Sequence, residues 1–90
     1  MNIQKIQNMR SSNGNDVPNQ FEIFTDMGKY FQSYSSMIAF KPFSGKIVLD
    51  ANKWDYSKTT GIYRNQFLGE SIKETRKKIK SGEYILADLN

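Results

Sequence analysis

Arg76, Lys77, Lys78 and Lys80 fall within one short run and supply four of the thirteen basic side chains of a 90-residue chain. On a helix Arg76 and Lys80 share a face one turn apart, and Lys73 lies a turn earlier. With Lys77 beside them, these groups suit a phosphate backbone or an acidic protein surface. The competing reading is a solvated helix face whose cations are favoured by the negative end of the helix dipole. A second constellation is Gly28-Lys29-Tyr30-Phe31-Gln32-Ser33-Tyr34. On a strand it puts Tyr30, Gln32 and Tyr34 on one side and Phe31 on the other. Tyrosines flanking an amide donor can stack unpaired bases. The spacing does not match the aromatic pattern of the common RNA-recognition motif, however, and strand tyrosines ordinarily pack at the margin of a core.

Those two groups are candidates for recognition, and the composition argues against catalysis. Histidine and cysteine are both absent. This removes the side chain most used for proton transfer near neutrality, the thiolate nucleophile and the commonest soft metal ligands. Neither catalytic residues, nor a metal, nor a cofactor is expected. Asp50-Ala51-Asn52-Lys53-Trp54-Asp55 superficially resembles a calcium loop, but Trp54 and Asp55 stand where an oxygen ligand and the turn glycine belong. Ser44-Gly45-Lys46 lacks the glycine-rich approach of a phosphate loop and opens a strand, so it reads as a hairpin turn. Trp54 and Tyr56 beside Lys58 and Arg64 could form an aromatic and cationic patch, against the ordinary role of a lone Trp as a core anchor. The formal charge of +4 favours polyanionic partners without requiring them.

A chain of this size can bury one modest core, so one domain must position these groups. Residues 1–18 read as an N-terminal arm and loop, because the segment from Ser11 to Gln20 is rich in turn formers, and the arm, with Ile3, Ile6 and Met9 spaced by three, suits a short strand, one helical turn or a segment that orders only on binding. Residues 19–90 read as the single domain. In it, residues 21–25, 29–34, 37–41 and 46–50 are strand-like, separated by Asp26-Met27-Gly28 and Pro42-Phe43-Ser44-Gly45 turns. Residues 58–68 then read as a short helix with Gly69 as its stop. Ser71-Ile72-Lys73-Glu74 is a capping box opening a second helix, with Ile72, Thr75 and Ile79 as its buried stripe and Gly82 at its end. Residues 84–89 suggest a last strand on an edge of the meander. The fold class is therefore α+β: an antiparallel meander of about four strands, two short helices and a C-terminal strand. Alternation is imperfect. Phe21 and Ile23 oppose Phe24, Phe31 opposes Tyr30 and Tyr34, and Val48 opposes Ile47 and Leu49. Both sheet faces want cover, and two helices supply it for one. The other must meet the arm, curl, or bury itself in a partner or a second copy of the chain, as a homodimer.

The run Asn19-Gln20-Phe21 to Gly28, with Tyr30-Phe31-Gln32-Ser33-Tyr34, Ile38-Ala39-Phe40, Trp54-Asp55-Tyr56-Ser57, Thr59-Thr60-Gly61, Tyr63-Arg64 and the stretch from Lys78 to Leu86, carries a resemblance. Over residues 19–90 the chain resembles small uncharacterised domains encoded by phages and mobile elements of low-GC Gram-positive bacteria. The resemblance carries over no catalytic or binding residue. It implies a protein that binds host machinery, including defence nucleases. The expected function is accordingly a non-enzymatic inhibitor of a host nucleic-acid-directed defence system, of the anti-CRISPR kind. Its partner would be a host protein or nucleoprotein complex in the bacterial cytoplasm. The alternative is a direct single-stranded nucleic-acid binder that stacks bases on Tyr30 and Tyr34 and holds phosphates with Arg76 and Lys80. No apolar stretch long enough to span a membrane is present, and residues 1–10 lack the apolar core of a signal peptide, so no membrane role is expected.

Overall fold

The structure, a computed structural model, describes residues 2–90. In chain order they form β1 (Ile3–Arg10), β2 (Asp16–Thr25), β3 (Gly28–Ser33), β4 (Ser36–Pro42), β5 (Val48–Asp50), α1 (Lys58–Leu68), α2 (Ile72–Ser81) and β6 (Ile85–Ala87). The strands make one six-stranded sheet in the order of the chain. Pairing is antiparallel from β1 to β5, and β6 joins β5 in parallel. A parallel neighbour cannot be reached by a tight turn, and the two helices supply the crossover that it requires. The fold is the expected α+β arrangement of a meander, two helices and a C-terminal strand on the meander's edge.

Local chemistry explains why both helices begin and end where they do. The Ser57 hydroxyl accepts the Thr60 N–H at the start of α1, and Gly69 closes it in the left-handed conformation. In α2 the Ser71 side chain accepts the Glu74 N–H while the Glu74 carboxylate accepts the Ser71 N–H, and Gly82 is the left-handed cap. The two helices thus stop and restart within Gly69-Glu70-Ser71.

Of the forms open to the arm, the strand is the one found: residues 3–10 pair along β2. The loop that follows differs from expectation, being only residues 11–15, because β2 starts at Asp16. Turn-forming residues at 16–20 are recruited into the ladder once β1 offers hydrogen bonds, and the mismatch is absorbed at Asn19, which takes a φ of 66°. Tyr34 lies just beyond β3, in the turn to β4, with a φ of 56°.

The sheet has a covered and an open face. On the covered face Phe31, Ala39 and Leu49 pack with Met9, Ile38, Tyr84 and Phe67 of α1, while Ile79 of α2 rests against this cluster. The Phe31 and Phe67 rings stack at 5.7 Å between centroids, and the Ser33 and Thr60 hydroxyls bond at 2.8 Å beneath α1. The Gln66 side chain also reaches across to the Arg10 carbonyl at the end of β1.

Gly28 starts β3 with a φ of 150°, and a Cβ there would stand 2.7 Å from the Pro42 Cα and closer still to the Lys41 carbonyl oxygen. The Thr25 hydroxyl, which accepts the Met27 and Gly28 N–H groups and donates to the Gly28 carbonyl, locks this turn. Gly28→Ala should therefore lower stability by about 2–3 kcal/mol. Gly14→Ala, where the left-handed backbone is in open space, should cost only about 1 kcal/mol. Thermal melts followed by circular dichroism check the order. Equal losses would remove the close approach of β4 as the reason for glycine at 28.

Candidate interaction surfaces

Thr75 fixes which side of α2 is hidden, since it is fully buried and its hydroxyl donates to the Glu70 carboxylate at 2.5 Å. At 3.6 residues per turn Lys73, Arg76, Lys77 and Lys80 then lie within about 100° of arc on the far side, and all four are exposed. Glu74 lies off this stripe, engaged in the capping box. Arg76 leans toward Asp55 at 3.5 Å, a distance and exposure at which the pair contributes little. The stripe presents a near-continuous line of cations to whatever lies beyond it.

Lys78, in the same basic run, does something else. Its ammonium is 2.7 Å from Glu70, which also accepts the Tyr84 hydroxyl at 2.8 Å. The Glu70 side chain is 4% exposed. Burial alone would raise its carboxyl, but the hydrogen bonds from Lys78, Thr75 and Tyr84 and the Lys78 charge outweigh that and hold it below its ordinary value. Burial, the bond to Glu70 and the Glu70 charge push the Tyr84 phenol up to about 12. Glu70 thereby ties the α1–α2 junction, the body of α2 and the approach to β6 to one carboxylate.

Arg64 is the other internal cation, with 1% of its surface exposed. One guanidinium nitrogen donates to the Trp54 carbonyl and to Asp55, the other to Asn65, and the guanidinium lies 5.3 Å from the Trp54 ring. Trp54 and Arg64 thus meet as an internal latch between α1 and the loop before it. Tyr56 lies apart from that latch, under Lys53 at 5.1 Å.

The open face has a different character. A single cross-strand row runs over all six strands, Ile6–Ile23–Tyr30–Phe40–Val48–Ile85. The next row is Asn8–Phe21–Gln32–Met37. Neither row carries a charged side chain. Tyr30 and Phe40 stack at 4.3 Å, so Tyr30 is half-buried by its neighbour. Tyr34 is exposed in the turn beyond, and the Gln32 amide donates to the Tyr34 carbonyl at 2.6 Å.

The candidate residues therefore divide between two sides of the molecule. Tyr30 and Gln32 lie on the open face, whereas Lys73, Arg76, Lys77 and Lys80 lie on a helix packed against the other. Two cations of the sheet, Lys29 and Lys41, are on the covered face, where both stand over the Phe67 ring and Lys41 donates to the Phe67 carbonyl. The Lys41 ammonium is shifted down by burial and by the Lys29 charge. Sequence reasoning missed the Glu70 cluster, because the contacts of Glu70 with Lys78 and Tyr84 depend on how α2 turns back over α1. Pairing register would have exposed the apolar row, but a single strand does not reveal it.

The chain belongs to the family of unknown function DUF8033. The family model matches residues 1–83, which span β1 through α2. No curated protein and no solved structure matches the chain. The family, like the resemblance drawn from the residues, is one of small domains without an assigned activity. No helix among the described residues is long and apolar enough to cross a membrane.

Glu70→Gln should destabilise the fold by about 1–3 kcal/mol near neutral pH, because a charged acceptor shared by three donors is lost. The pH dependence has a definite sign. A carboxyl lowered on folding contributes stability that is present above its unfolded value of about 4.5 and is lost as the pH falls through the lower folded value. The variant should show a shallower acid loss than the wild type in thermal melts taken through that window, and superimposable acid limbs would remove Glu70 as a contributor.

Proposed function

We propose that this protein is a non-enzymatic binding protein of a phage or mobile element, acting in the cytoplasm of a bacterial host as an inhibitor of a nucleic-acid-directed defence system. Its partner in this reading is a nucleoprotein complex such as a defence nuclease, met by the basic stripe of α2. The observation that carries the reading is the placement of Lys73, Arg76, Lys77 and Lys80, exposed together on one face of a helix whose opposite face is anchored by Thr75. Such a line suits phosphates or carboxylates displayed on a large surface, and being basic it differs from an acidic mimic of nucleic acid.

Direct binding of a bare single strand would call for stacking residues and phosphate contacts along one path. Tyr30 and the α2 cations lie on different sides of the sheet, which favours a composite partner over a free strand. The Tyr34 ring, at the end of the sheet, remains accessible to either.

The test compares binding to bare oligonucleotides with binding to an assembled defence nuclease carrying its nucleic acid. Association only with the complex supports the proposal; tight, salt-sensitive association with the oligonucleotide alone would replace it with the single-strand reading. Reversing two charges, Arg76→Glu with Lys80→Glu, should weaken binding most at low salt and flatten log affinity against log salt by about two units if both groups meet phosphate. The melting temperature should hardly move, since exposed helix charges are worth tenths of a kcal/mol each. Unchanged affinity and slope would assign the stripe to solvent.

A further inference from the structure

The open sheet face is a second surface, distinct from the α2 stripe. Its central row, Ile6–Ile23–Tyr30–Phe40–Val48–Ile85, is apolar on every strand. Ile6 at one end is 57% exposed and Ile85 at the other 45%; between them Tyr30, Phe40 and Val48 are half-buried and Ile23 is buried by its neighbours. Contiguous apolar surface of this kind is uncommon on a monomer and marks an interface. We propose that a second copy of this chain covers it, the two sheets packing face to face as a sandwich.

Three observations select that occupant. The first is area. The molecule measures 34 × 29 × 20 Å, and the short dimension suits a sheet plus one layer of helices. The broad outline therefore belongs to the sheet plane, so the roughly 800 Å² that each partner gives to a stable interface is reached only when most of the face is covered, as a second sheet of the same outline would cover it. The second is charge. Each copy carries +4, so a face bearing part of that excess would repel its own image. The two central rows are uncharged, whereas the α2 cations stand on the outer side, away from the seam. Nothing on those rows would steer a charged heterologous partner, while a second copy is always present at matching concentration.

The third is the state of the sheet edges, which blocks the other route to self-association. β1 exposes its outer edge but breaks register twice, between Ile3 and Lys5 and between Asn8 and Arg10, and carries both of those cations. β6, at the far edge, offers only three residues. Bulges, charges and short length are the features that stop strands adding edge to edge. Face packing at the usual sheet separation of about 10 Å, with strands roughly aligned, remains. The dimer would carry two α2 stripes on opposite outer surfaces, giving it two points of attachment to a large partner.

Sedimentation or light scattering of the full chain at about 10–100 µM tests this. The expected species is a dimer whose melting temperature rises with concentration, as a dimer linked to folding requires. Ile6→Lys together with Ile85→Lys, at positions already exposed in one copy, should weaken self-association at least about 100-fold by burying charge at the seam. Lys73→Glu on the outer side should leave it unchanged. A wild type that stays monomeric, with a melting temperature independent of concentration, would overturn the proposal and leave the face to a different protein. A dimer that survives the double lysine variant, or one dissociated by Lys73→Glu, would also overturn it, since self-association would then use another surface.

Discussion

Folding here is governed by an imbalance between sheet and helix. Six strands present two broad faces, and α1 and α2 span only about 15 Å each at 1.5 Å per residue, enough to blanket one. The main apolar cluster of the interior, from Phe31 and Leu49 to Phe67, gathers on that side, while Ile23 is buried among its neighbours on the other. The N-terminal strand does not relieve the imbalance. It lengthens the sheet at its edge and brings more uncovered surface, with Ile3 and Ile6 both exposed. The aromatic pair Tyr30 and Phe40 partly shields the open face by lying against itself, a local economy that leaves the ends of the row bare.

The covered side shows a second consequence of small size. With few large apolar residues available, the interior includes Gln20, Thr25, Ser33, Asp50, Thr60, Arg64 and Thr75. Most of these are matched to partners. Asp50, whose carboxyl burial would raise, is held below its ordinary value by the Leu89 N–H, the Asn90 side chain and the N–H groups of Asn52 and Lys53, so it pins the C-terminal segment beside β5. Glu70 does the same for α2. Such groups cost free energy when left alone and add specificity when satisfied, which orders a layer of two short helices that propensity alone would leave marginal. There are two exceptions: Gln20 is fully buried and neither polar atom of its amide has a hydrogen-bond partner, and the Nε of Arg64 also has none.

Charge is sorted by the same architecture. Of the basic run in α2, Lys78 turns inward to Glu70 while its neighbours face out, because the Thr75 side of the helix is committed to the core. Lys29 and Lys41 are spent over the Phe67 ring. The remaining exposed cations of α2 therefore stand on the helical side, and the central rows of the open face are neutral. The molecule has one polar, basic aspect and one whose central rows are apolar and uncharged, and the two suit different kinds of neighbour.

The helices were legible in the residues themselves. Ser57, Gly69, the Ser71–Glu74 box and Gly82 act through bonds within a few residues of each other, so local chemistry is sufficient to define α1 and α2. The meander was legible for a similar reason, as strand-forming runs punctuated by turn residues. The exposure of Lys73, Arg76, Lys77 and Lys80 followed from helical spacing once the buried side was known. The residues alone leave the arm at 3–10 open between strand, helical turn and unpaired segment, and the incorporation of residues 16–20 into the sheet could not be read at all, because a polar, turn-rich segment becomes a strand only when a partner supplies its ladder. Nor could the separation of Tyr30 from the basic helix, the inward turn of Lys78 or the burial of Arg64. Each depends on which face of the sheet the crossover helices choose, and that choice is made by packing between residues far apart in the chain.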